Sequence, residues 1–318
     1  YMDHVRAHGF YPPFLFENGK LKLIDGNTLA SGGKSLEPET PQAYLERWNR
    51  VGKQVYSQDI FINGILDYIR SADEQPFFIY FPTQLPHGPV AIPVVHPDFV
   101  NDTRLTQIEK EYASMVKRLD DDVGQILDEL KKQNIDDNTL VIFTSDNGHE
   151  IYYSQQGRAE KPYRDIITGQ LFDNYQRKFY SERAKDVFNG NGSRAGLKKS
   201  NLQGGVNVPL IVRWPNKIPE GTVSNRLVAS YDMLPTIAEL VNYQEKLAVD
   251  GLSYYQALMG KELGKGEQNE HDYIVYGSFE GPMLVTNDGW KIRSYLKKEA
   301  FEIFTCLMTK QREKIYLK

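Results

Sequence analysis

Two long segments of the chain carry apolar residues at helical spacing, and a short apolar run follows each of them. The first segment begins near Ser57, and its apolar positions are Ile60, Phe61, Ile65, Leu66 and Ile69. This spacing predicts an amphipathic helix with one face turned towards a core. The apolar run at residues 76–81 that comes next predicts a buried strand.

The same order of helix and then strand is repeated further along the chain. A longer helix is predicted by apolar residues at Ile108, Tyr112, Met115, Leu119, Val123, Ile126 and Leu130. Buried strands are predicted at 139–144 and 208–213, and Asp232 is the predicted N-cap of a helix that runs to about Val241. This alternation is typical of an α/β sandwich in which helices flank a mixed, largely parallel central sheet.

The two ends of the chain show a different pattern. Residues 1–46 are rich in aromatic residues, Gly and Pro without a clean period, which predicts a long ordered loop. A charged stretch at 260–270 separates the core from strand-like segments at 273–276 and 290–295. We therefore predict a main domain over residues 1–259 and a small C-terminal α+β subdomain over residues 260–318.

The composition argues against nucleic-acid binding, an intrachain disulfide, a cysteine-based zinc site and a membrane span. A formal net charge of −4 provides no overall basic field, so nucleic acid is not an expected partner. The single cysteine, Cys306, excludes an intrachain disulfide and a cysteine-based zinc site. No apolar stretch reaches the roughly 18 residues that span a bilayer, so no membrane span is expected. The first residue is Tyr1, and we expect an upstream segment that was removed or never included.

Three polar segments lie at the ends of the predicted strands. Leu-Pro-His-Gly-Pro at 85–89 follows the first strand, and Ser-Asp-Asn-Gly-His-Glu at 145–150 follows the second. Gly-Leu-Lys-Lys-Ser-Asn-Leu-Gln-Gly-Gly at 196–205 precedes the third. Because ligands gather outside the carboxyl ends of strands in α/β sheets, we expect a histidine, an Asp-Asn pair and a lysine to converge at one sheet edge.

Each of these segments also has an ordinary structural explanation. Asp146 and Asn147 offer two hard oxygen atoms that suit Ca²⁺ or Mg²⁺, yet Asp-Asn-Gly is among the commonest turn sequences. A histidine between prolines is common in loops, and a lysine in a Gly-rich loop is usually solvated. Only the order of the three segments together favours a functional site.

That order resembles the type I, formylglycine-dependent sulfatases (the arylsulfatase family) of the alkaline-phosphatase-like superfamily. The shared pattern runs from Pro-His-x-Pro through Thr-Ser-Asp-Asn-Gly and Gly-x-Lys-x5-Gly-Gly-x-x-Val-Pro to Arg-Trp-Pro, and the resemblance extends from Tyr1 to about Trp290. The resemblance implies an alkaline-phosphatase-like fold and a sulfuric ester hydrolase activity. The implied substrate is either a sulfated carbohydrate (a sulfated saccharide) or an aryl sulfate.

The resemblance also implies roles for individual residues. Asp146 and Asn147 would be metal ligands for Ca²⁺, with Mg²⁺ as the alternative. His87 would contact the sulfate or assist the leaving oxygen, and Lys198 would bind a sulfate oxygen. These roles suit the chemistry, because a cation and an ammonium stabilise charge on sulfuryl oxygens and an imidazole can donate a proton to a departing alkoxide. Lys198 is preferred to Lys199 because the number of residues between Lys198 and the Gly-Gly pair is the same as in the family.

The chain departs from the sulfatase pattern in important places. The C/S-x-P-x-R motif that yields the formylglycine nucleophile does not occur in the 318 residues. Gln203-Gly-Gly-Val-Asn207 stands where the family usually has Glu-Gly-Gly-x-Arg. We therefore expect formylglycine in a missing N-terminal segment, and we expect the 318-residue chain alone to be inactive.

Further substrate contacts are predicted near the metal pair and in the N-terminal loop. The connection between Gly148 and Lys198 is long and carries aromatic and basic residues, which would suit a sugar-binding wall as well as a solvated loop. The weaker candidates for substrate contact are His149, Glu150 and His8.

Two other functions stay open on the sequence alone. The missing nucleophile would fit an inactive sulfatase-like protein that binds sulfated glycans. A metal-dependent phosphodiesterase of the same superfamily is the other alternative, although such enzymes more often have Asp-His-Gly at the turn. An extracytoplasmic location, periplasmic or secreted, is expected from the family, and the oligomeric state is not indicated.

Overall fold

The structure is a computed structural model of the chain. The residues it describes are 2–3, 9–28, 41–72, 75–150, 159–160, 164–165, 188, 190–191, 194, 196–261, 270–278, 281–295 and 298–305. These residues divide into two compact units. The first unit contains the described residues up to Asp136 together with Glu150 and the short pieces up to Gly190, and the second contains Asp137–His149 and the described residues from Asn191 onwards.

The first unit begins with a small antiparallel sheet. Its strands are β1 (Met2–Asp3), β2 (Phe14–Glu17) and β3 (Lys20–Leu23), in the order β1-β2-β3. The prediction of a continuous loop over residues 1–46 is therefore wrong. Asn18 and Gly19 both have positive φ, at 51° and 77°, as the tight turn of a two-residue hairpin requires.

Helices supply most of the regular structure of the first unit. In chain order the helices are α1 (Pro41–Trp48), α2 (Ser57–Ser71), α3 (Pro97–Val100) and α4 (Gln107–Lys132). The predicted helices at 57–69 and 108–130 are confirmed as α2 and α4. Thr106 and Glu109 form a capping box that fixes the start of α4.

The core of the first unit lies between α2 and α4. Both helices turn apolar side chains inward, and those that are buried include Ile62, Leu66, Ile69, Ile108, Tyr112 and Met115. Burying side chains of this size stabilises the fold by roughly 1.5–3 kcal/mol each, which is enough to hold the two helices together. A short strand pair, β5 (Ala159–Glu160) and β6 (Arg164–Asp165), also belongs to this unit.

The buried strand predicted at 76–81 is not formed. Residues 76–81 pair with no strand among the described residues, and Phe78 and Tyr80 are 75% and 79% exposed. A strand needs a neighbour to satisfy its backbone hydrogen bonds, and an apolar run by itself does not provide one.

The second unit contains the other two predicted strands. They appear as β4 (Val141–Thr144) and β7 (Leu210–Arg213), which pair antiparallel with Val141 opposite Arg213. Both strands are confirmed, but they are at best half-buried rather than buried. The described residues contain no parallel strand pair, and the largely parallel sheet stays a prediction.

The helices of the second unit are short. They are α5 (Gln203–Val206), α6 (Met233–Leu240) and α7 (Tyr255–Leu258). The predicted helix after Asp232 is confirmed as α6, but the Asp232 carboxylate does not cap it. The carboxylate accepts hydrogen bonds from Ala229 N, Leu252 N and His271 Nε2, so it joins three segments instead.

A four-stranded antiparallel sheet ends the second unit. Its strands are β8 (Tyr273–Ser278), β9 (Gly281–Thr286), β10 (Trp290–Tyr295) and β11 (Lys298–Thr305), in the order β11-β10-β9-β8. The strand-like segments predicted at 273–276 and 290–295 are confirmed. Of the helices in the described ranges, none is long and apolar enough to cross a bilayer.

Candidate functional site

The turn that carries the two predicted metal ligands follows β4 directly. Asp146 is exposed and Asn147 is half-buried. The hydroxyl of Ser145 donates to the carbonyl oxygen of Asn147 at 3.0 Å, and Asn147 Nδ2 donates to the carbonyl oxygen of Gly148 at 3.0 Å. These local bonds fix the turn, and they occupy the amide nitrogen of Asn147 rather than its oxygen.

Gly148 brings this turn into contact with the segment that contains the predicted lysine. Its backbone nitrogen donates to the carbonyl oxygen of Gly205 at 2.9 Å. A Cβ atom at position 148 would lie 1.8 Å from the carbonyl oxygen of Gly204, a distance that no side chain can occupy. The Gly-Gly pair of the sequence motif therefore packs against the glycine of the Asp-Asn-Gly turn, backbone to backbone.

Lys198 is joined to the same turn through its own backbone. Its nitrogen donates to the carbonyl oxygen of His149 at 2.7 Å, and the nitrogen of Ser200 closes the bend by donating to Leu197 O at 3.0 Å. Lys198 is half-buried, whereas Lys199 is exposed and has a φ of 77°. The backbone thus distinguishes two adjacent lysines, and Lys198 is the one fixed beside the Asp-Asn turn.

Asn191 is a residue of this site that the sequence analysis missed. Its side chain is buried, its Oδ1 accepts from His149 N at 3.3 Å, and its Nδ2 donates to Gly196 O at 2.9 Å. One carboxamide therefore connects the metal turn to the start of the lysine segment. Asn191 lies outside any periodic pattern, and no signal in the sequence marks it.

His149 lies in the same cluster and is predicted to contact the substrate. Burial lowers the pKa of its imidazole to about 4. The ring is therefore neutral at pH 7, and it would contact a substrate as a hydrogen-bonding group rather than as a cation.

His87 belongs to the first unit, where it is held in a tight turn. Its backbone nitrogen donates to Gln84 O at 2.8 Å, and its Nδ1 lies 2.6 Å from the carbonyl oxygen of Gly88. Because a carbonyl oxygen can only accept, the proton is assigned to Nδ1, and Nε2 is then the basic nitrogen of the neutral ring. The peptide bonds before Pro86 and Pro89 are both cis.

Buried side chains anchor the segment just before His87. Ser57 Oγ donates to Gln84 Oε1 at 2.7 Å, and Gln84 Nε2 donates to Gly9 O at 3.2 Å. Gln84 and Ser57 are both buried, so these bonds are shielded from water. They fix the turn that carries His87 to the start of α2.

The acidic stretch on α4 supports this anchor. The buried Asp122 accepts from Gln58 Nε2 at 2.8 Å and from Arg118 Nε at 2.9 Å. Burial raises the pKa of Asp122, against the lowering effect of these two partners. Gln58 in turn accepts a 3.3 Å hydrogen bond from Thr83 Oγ1, which connects α4 to the residue before Gln84.

Glu150 and His8 are the other two residues that are predicted to contact the substrate. Glu150 is a buried residue of the first unit, and its role in substrate contact stays a prediction. His8 lies outside the described residues, as does most of the basic and aromatic connection between Gly148 and Lys198.

The donor set at the Asp-Asn turn fits part of a calcium site. Asp146 supplies a carboxylate and Asn147 an amide oxygen, and both are hard ligands of the kind that Ca²⁺ takes in sets of six to eight. Within the described ranges, no group of three or more His, Cys, Asp or Glu side chains is close enough to hold a metal. The described residues therefore fit two positions of such a shell.

Comparisons with known proteins identify the family. A sequence profile described as Sulfatase matches residues 25–243. The N-acetylgalactosamine-6-O-sulfatase of Bacteroides thetaiotaomicron is 29% identical over 252 residues, which cover 78% of this chain and 42% of the relative. The Homo sapiens N-acetylgalactosamine-6-sulfatase is 27% identical over 208 residues, which cover 64% of this chain and 33% of the relative. The chain thus spans less than half the length of these curated relatives.

A solved structure agrees with the sequence comparison. It comes from a Bacteroides thetaiotaomicron locus for the metabolism of multiple glycosaminoglycans, and it matches with a TM-score of 0.58 at 23% identity. The match covers 88% of this chain and 58% of that chain, and it shows a common fold. Since the profile also covers more than half of the residues, the chain belongs to the sulfatase family and has its alkaline-phosphatase-like α/β fold.

Proposed function

We propose that the whole protein hydrolyses sulfate esters of sulfated saccharides, with this chain supplying part of its active site. The observation that carries the proposal is the backbone connection between the Asp-Asn turn and Lys198. The Lys198 N to His149 O bond of 2.7 Å and the Gly148 N to Gly205 O bond of 2.9 Å hold the Asp-Asn turn and the backbone of the lysine segment together. Membership of the sulfatase family and the names of the curated relatives support the same substrate class.

Lys198 in this proposal binds an oxygen of the sulfate group. Because the Lys198 backbone is fixed, its ammonium group samples a restricted region and needs less reorganisation when negative charge develops on the sulfuryl oxygens. We do not assign this role to Lys199, because its side chain is exposed and its backbone has a positive φ of 77°.

His87 in this proposal donates a proton to the departing sugar oxygen. With Nδ1 bound to Gly88 O, the proton to be transferred is carried on Nε2 of the imidazolium. The anchoring of Gln84 by Ser57 fixes the turn, and a fixed donor loses less entropy in the reaction.

Asp146 and Asn147 would hold Ca²⁺, with Mg²⁺ as the alternative hard cation. When bound, the cation would offset negative charge on the sulfate oxygens. The nucleophile of the proposal is a formylglycine outside these 318 residues, because no C/S-x-P-x-R motif occurs in them.

The finer architecture is part of the same proposal. We expect the mixed, largely parallel central sheet of the fold to be completed outside the described residues. We expect the main domain to span residues 1–259 and the small C-terminal subdomain to span residues 260–318. We also expect the protein to be periplasmic or secreted, which fractionation of the native host would test.

The experiment that tests the function uses the full-length protein encoded by the gene. It should release inorganic sulfate from N-acetylgalactosamine 6-sulfate or from a chromogenic aryl sulfate when calcium is present. Binding of sulfated saccharide without sulfate release would favour the inactive glycan-binding alternative. Hydrolysis of a phosphodiester to a phosphomonoester and an alcohol, with two tightly held zinc ions, would favour the phosphodiesterase alternative and overturn the proposal.

A further inference from the structure

The segment that carries Lys198 is also fixed from the opposite side, by the C-terminal sheet. Asn201, three residues after Lys198, is fully buried. Its Nδ2 donates to the carbonyl oxygen of Gly281 in β9 at 3.1 Å, and its Oδ1 accepts from Arg293 Nε in β10 at 2.6 Å. Both ends of one carboxamide are thus satisfied by a sheet that lies 80 to 92 residues further along the chain.

Two neighbouring contacts strengthen this attachment. The hydroxyl of Tyr276 in β8 lies 3.3 Å from the backbone carbonyl oxygen of Asn201 and 2.8 Å from Met283 Sδ, and its one proton is shared between these two acceptors. The next residue, Leu202, packs in a small buried cluster with Met283 and against Tyr276. Polar and apolar contacts therefore fix the same two residues of the lysine segment onto the sheet.

Arg293 is an unusual residue for the buried side of a sheet. It is 6% exposed, while its strand neighbour Ile292 is 38% exposed, so the cation faces inward and the apolar side chain faces outward. Burying a guanidinium group costs free energy, and an apolar side chain of similar size often stabilises a core at least as well. The contact with Asn201 gives Arg293 a specific task that an apolar residue could not perform.

The backbone between Asn201 and Lys198 is tight enough to transmit a displacement. Ser200 N donates to Leu197 O, and Leu202 N donates to Ser200 Oγ at 3.3 Å. Lys199 holds a positive φ inside this bend. A shift of Asn201 would therefore move the Lys198 backbone rather than be absorbed by a flexible linker.

We propose that Arg293 and Asn201 are positioning residues that fix Lys198 for sulfate binding, which makes the C-terminal sheet part of the catalytic apparatus. This inference rests on the proposed function, because it requires Lys198 to bind the sulfate group. It adds that the sheet acts through the lysine segment, without itself touching the substrate.

The experiment is a double-mutant cycle in the full-length protein. Arg293→Met removes the donor to Asn201 and keeps a side chain of similar length. Alone, it should lower kcat/KM for the sulfate ester and weaken the binding of inorganic sulfate by about tenfold, because a misplaced group loses much of its effect. In a Lys198→Ala background the same change should alter kcat/KM by less than about twofold, because coupled residues are not additive.

The controls separate positioning from general damage to the fold. Ile292→Ala, on the exposed face of the same strand, should leave sulfate binding unchanged. If Arg293→Met does not fold, Tyr276→Phe removes the hydroxyl that contacts Asn201 O and Met283 Sδ, with little change in shape. It should give a smaller loss with the same dependence on Lys198.

Each outcome of the cycle has a definite meaning. If the unsubstituted protein hydrolyses the ester but the losses from Arg293→Met and Lys198→Ala multiply, the positioning role is overturned while the proposed function stands. Unchanged sulfate binding in a folded Arg293→Met variant also overturns it. If the unsubstituted protein neither hydrolyses sulfate esters nor binds sulfate, the proposed function and this inference fall together.

Discussion

The backbone nitrogen of Lys198 donates a 2.7 Å hydrogen bond to the carbonyl oxygen of His149, which connects two segments that are 49 residues apart in the numbering. His149 immediately follows the Asp-Asn-Gly turn. A lysine side chain is long and flexible, so a fixed backbone limits the volume that its ammonium group can reach. This bond therefore fixes the Lys198 backbone next to the Asp-Asn-Gly turn and restricts the region that the ammonium group can reach.

The two adjacent lysines should differ sharply in their effect on activity. Lys198→Ala should lower kcat/KM for a sulfate ester by roughly 10²-fold or more, as the loss of one charge-stabilising donor does. Lys199→Ala should leave kcat/KM close to that of the unsubstituted protein, because Lys199 is exposed and its backbone, with a φ of 77°, differs in conformation from that of Lys198. Steady-state kinetics of the full-length protein measure both. Equal losses would show that the site is assigned to the wrong lysine or to neither.

Substitution of Gly148 should separate the two segments of the site. In Gly148→Ala the new Cβ would lie 1.8 Å from the backbone oxygen of Gly204. The clash can be relieved only by a shift of the backbone, which costs free energy. We expect a loss of about 1–3 kcal/mol in the free energy of unfolding together with weaker sulfate binding.

Gly124→Ala is the matched control for this prediction. No atom lies within 4 Å of a Cβ at position 124, which is inside α4, so alanine should stabilise the protein by about 0.5–1 kcal/mol. Urea denaturation of both variants measures the difference. A Gly148→Ala variant as stable as Gly124→Ala would mean that the two segments do not pack as described.

The helices α2 and α4 could be predicted from sequence because their signals are local, whereas α1 (Pro41–Trp48) lies largely in the segment predicted as a loop. The apolar spacing in α2 and α4 repeats within single segments, and the buried residues Ile62, Leu66 and Ile69 follow from it. The hairpin β2-β3 also had a local signal, Asn18-Gly19 between apolar runs, which outweighs the irregular composition around it. A periodic or turn-based signal is sufficient when the partner residues are near in sequence.

Features that depend on distant residues could not be predicted in this way. The apolar run at 76–81 predicts a strand, but strand formation depends on a partner that the run does not contain. Asn191 contacts His149 N across 42 residues, and Arg293 contacts Asn201 across 92. In both cases a single polar side chain makes the connection, and single polar residues leave no pattern in a sequence.

Asp146 should control the affinity for calcium. Asp146→Asn keeps the shape of the side chain and removes its charge, so binding of Ca²⁺ should weaken by at least the roughly 10–100-fold that follows loss of an outer-shell partner. Isothermal titration of the full-length protein with calcium chloride measures it. Asp120→Asn, an exposed carboxylate on α4, is the control and should leave the affinity unchanged. Equal affinity in Asp146→Asn would remove Asp146 from the ligand set.

Alkaline pH should destabilise the first unit through buried tyrosines. Burial raises the pKa of Tyr56 well above its usual value of 10.0. Above about pH 10 the unfolded chain therefore loses a proton that the folded chain keeps, so stability falls as pH rises towards the folded pKa. Below pH 10 this contribution is fully present.

Tyr56→Phe tests this alkaline dependence. At pH 7 the variant should be about 1 kcal/mol less stable, because the 2.9 Å hydrogen bond from Tyr56 Oη to Ala91 O is lost. The difference should shrink as the pH rises above about 10, since phenylalanine does not ionise. Tyr80→Phe, at a position 79% exposed, should give no such convergence in urea denaturation. A constant difference across the pH range would show that Tyr56 ionises alike in both states.

His87 should matter most for substrates whose leaving oxygen is a poor leaving group. Removal of a proton donor costs typically 10²–10⁴-fold, and the cost is greatest when the departing alkoxide is strongly basic. His87→Ala should therefore lower kcat on a saccharide sulfate by about that range, but much less on 4-nitrophenyl sulfate, whose phenolate departs without protonation. His96→Ala is the control, because His96 receives a 3.2 Å hydrogen bond from Asp98 N at the start of α3 and should affect neither substrate.

Substitution of Gln84 should also lower activity more on a saccharide sulfate than on an aryl sulfate, but by a smaller factor than substitution of His87. Gln84→Ala removes the buried contacts with Ser57 Oγ and Gly9 O that fix the turn of His87, so it should misplace the donor without removing it. A loss on the saccharide sulfate that exceeds the loss on the aryl sulfate would show that Gln84 acts through His87. Equal losses on both substrates for His87→Ala would instead mean that His87 binds the sulfate group, since the sulfate is common to the two esters and the leaving oxygen is not.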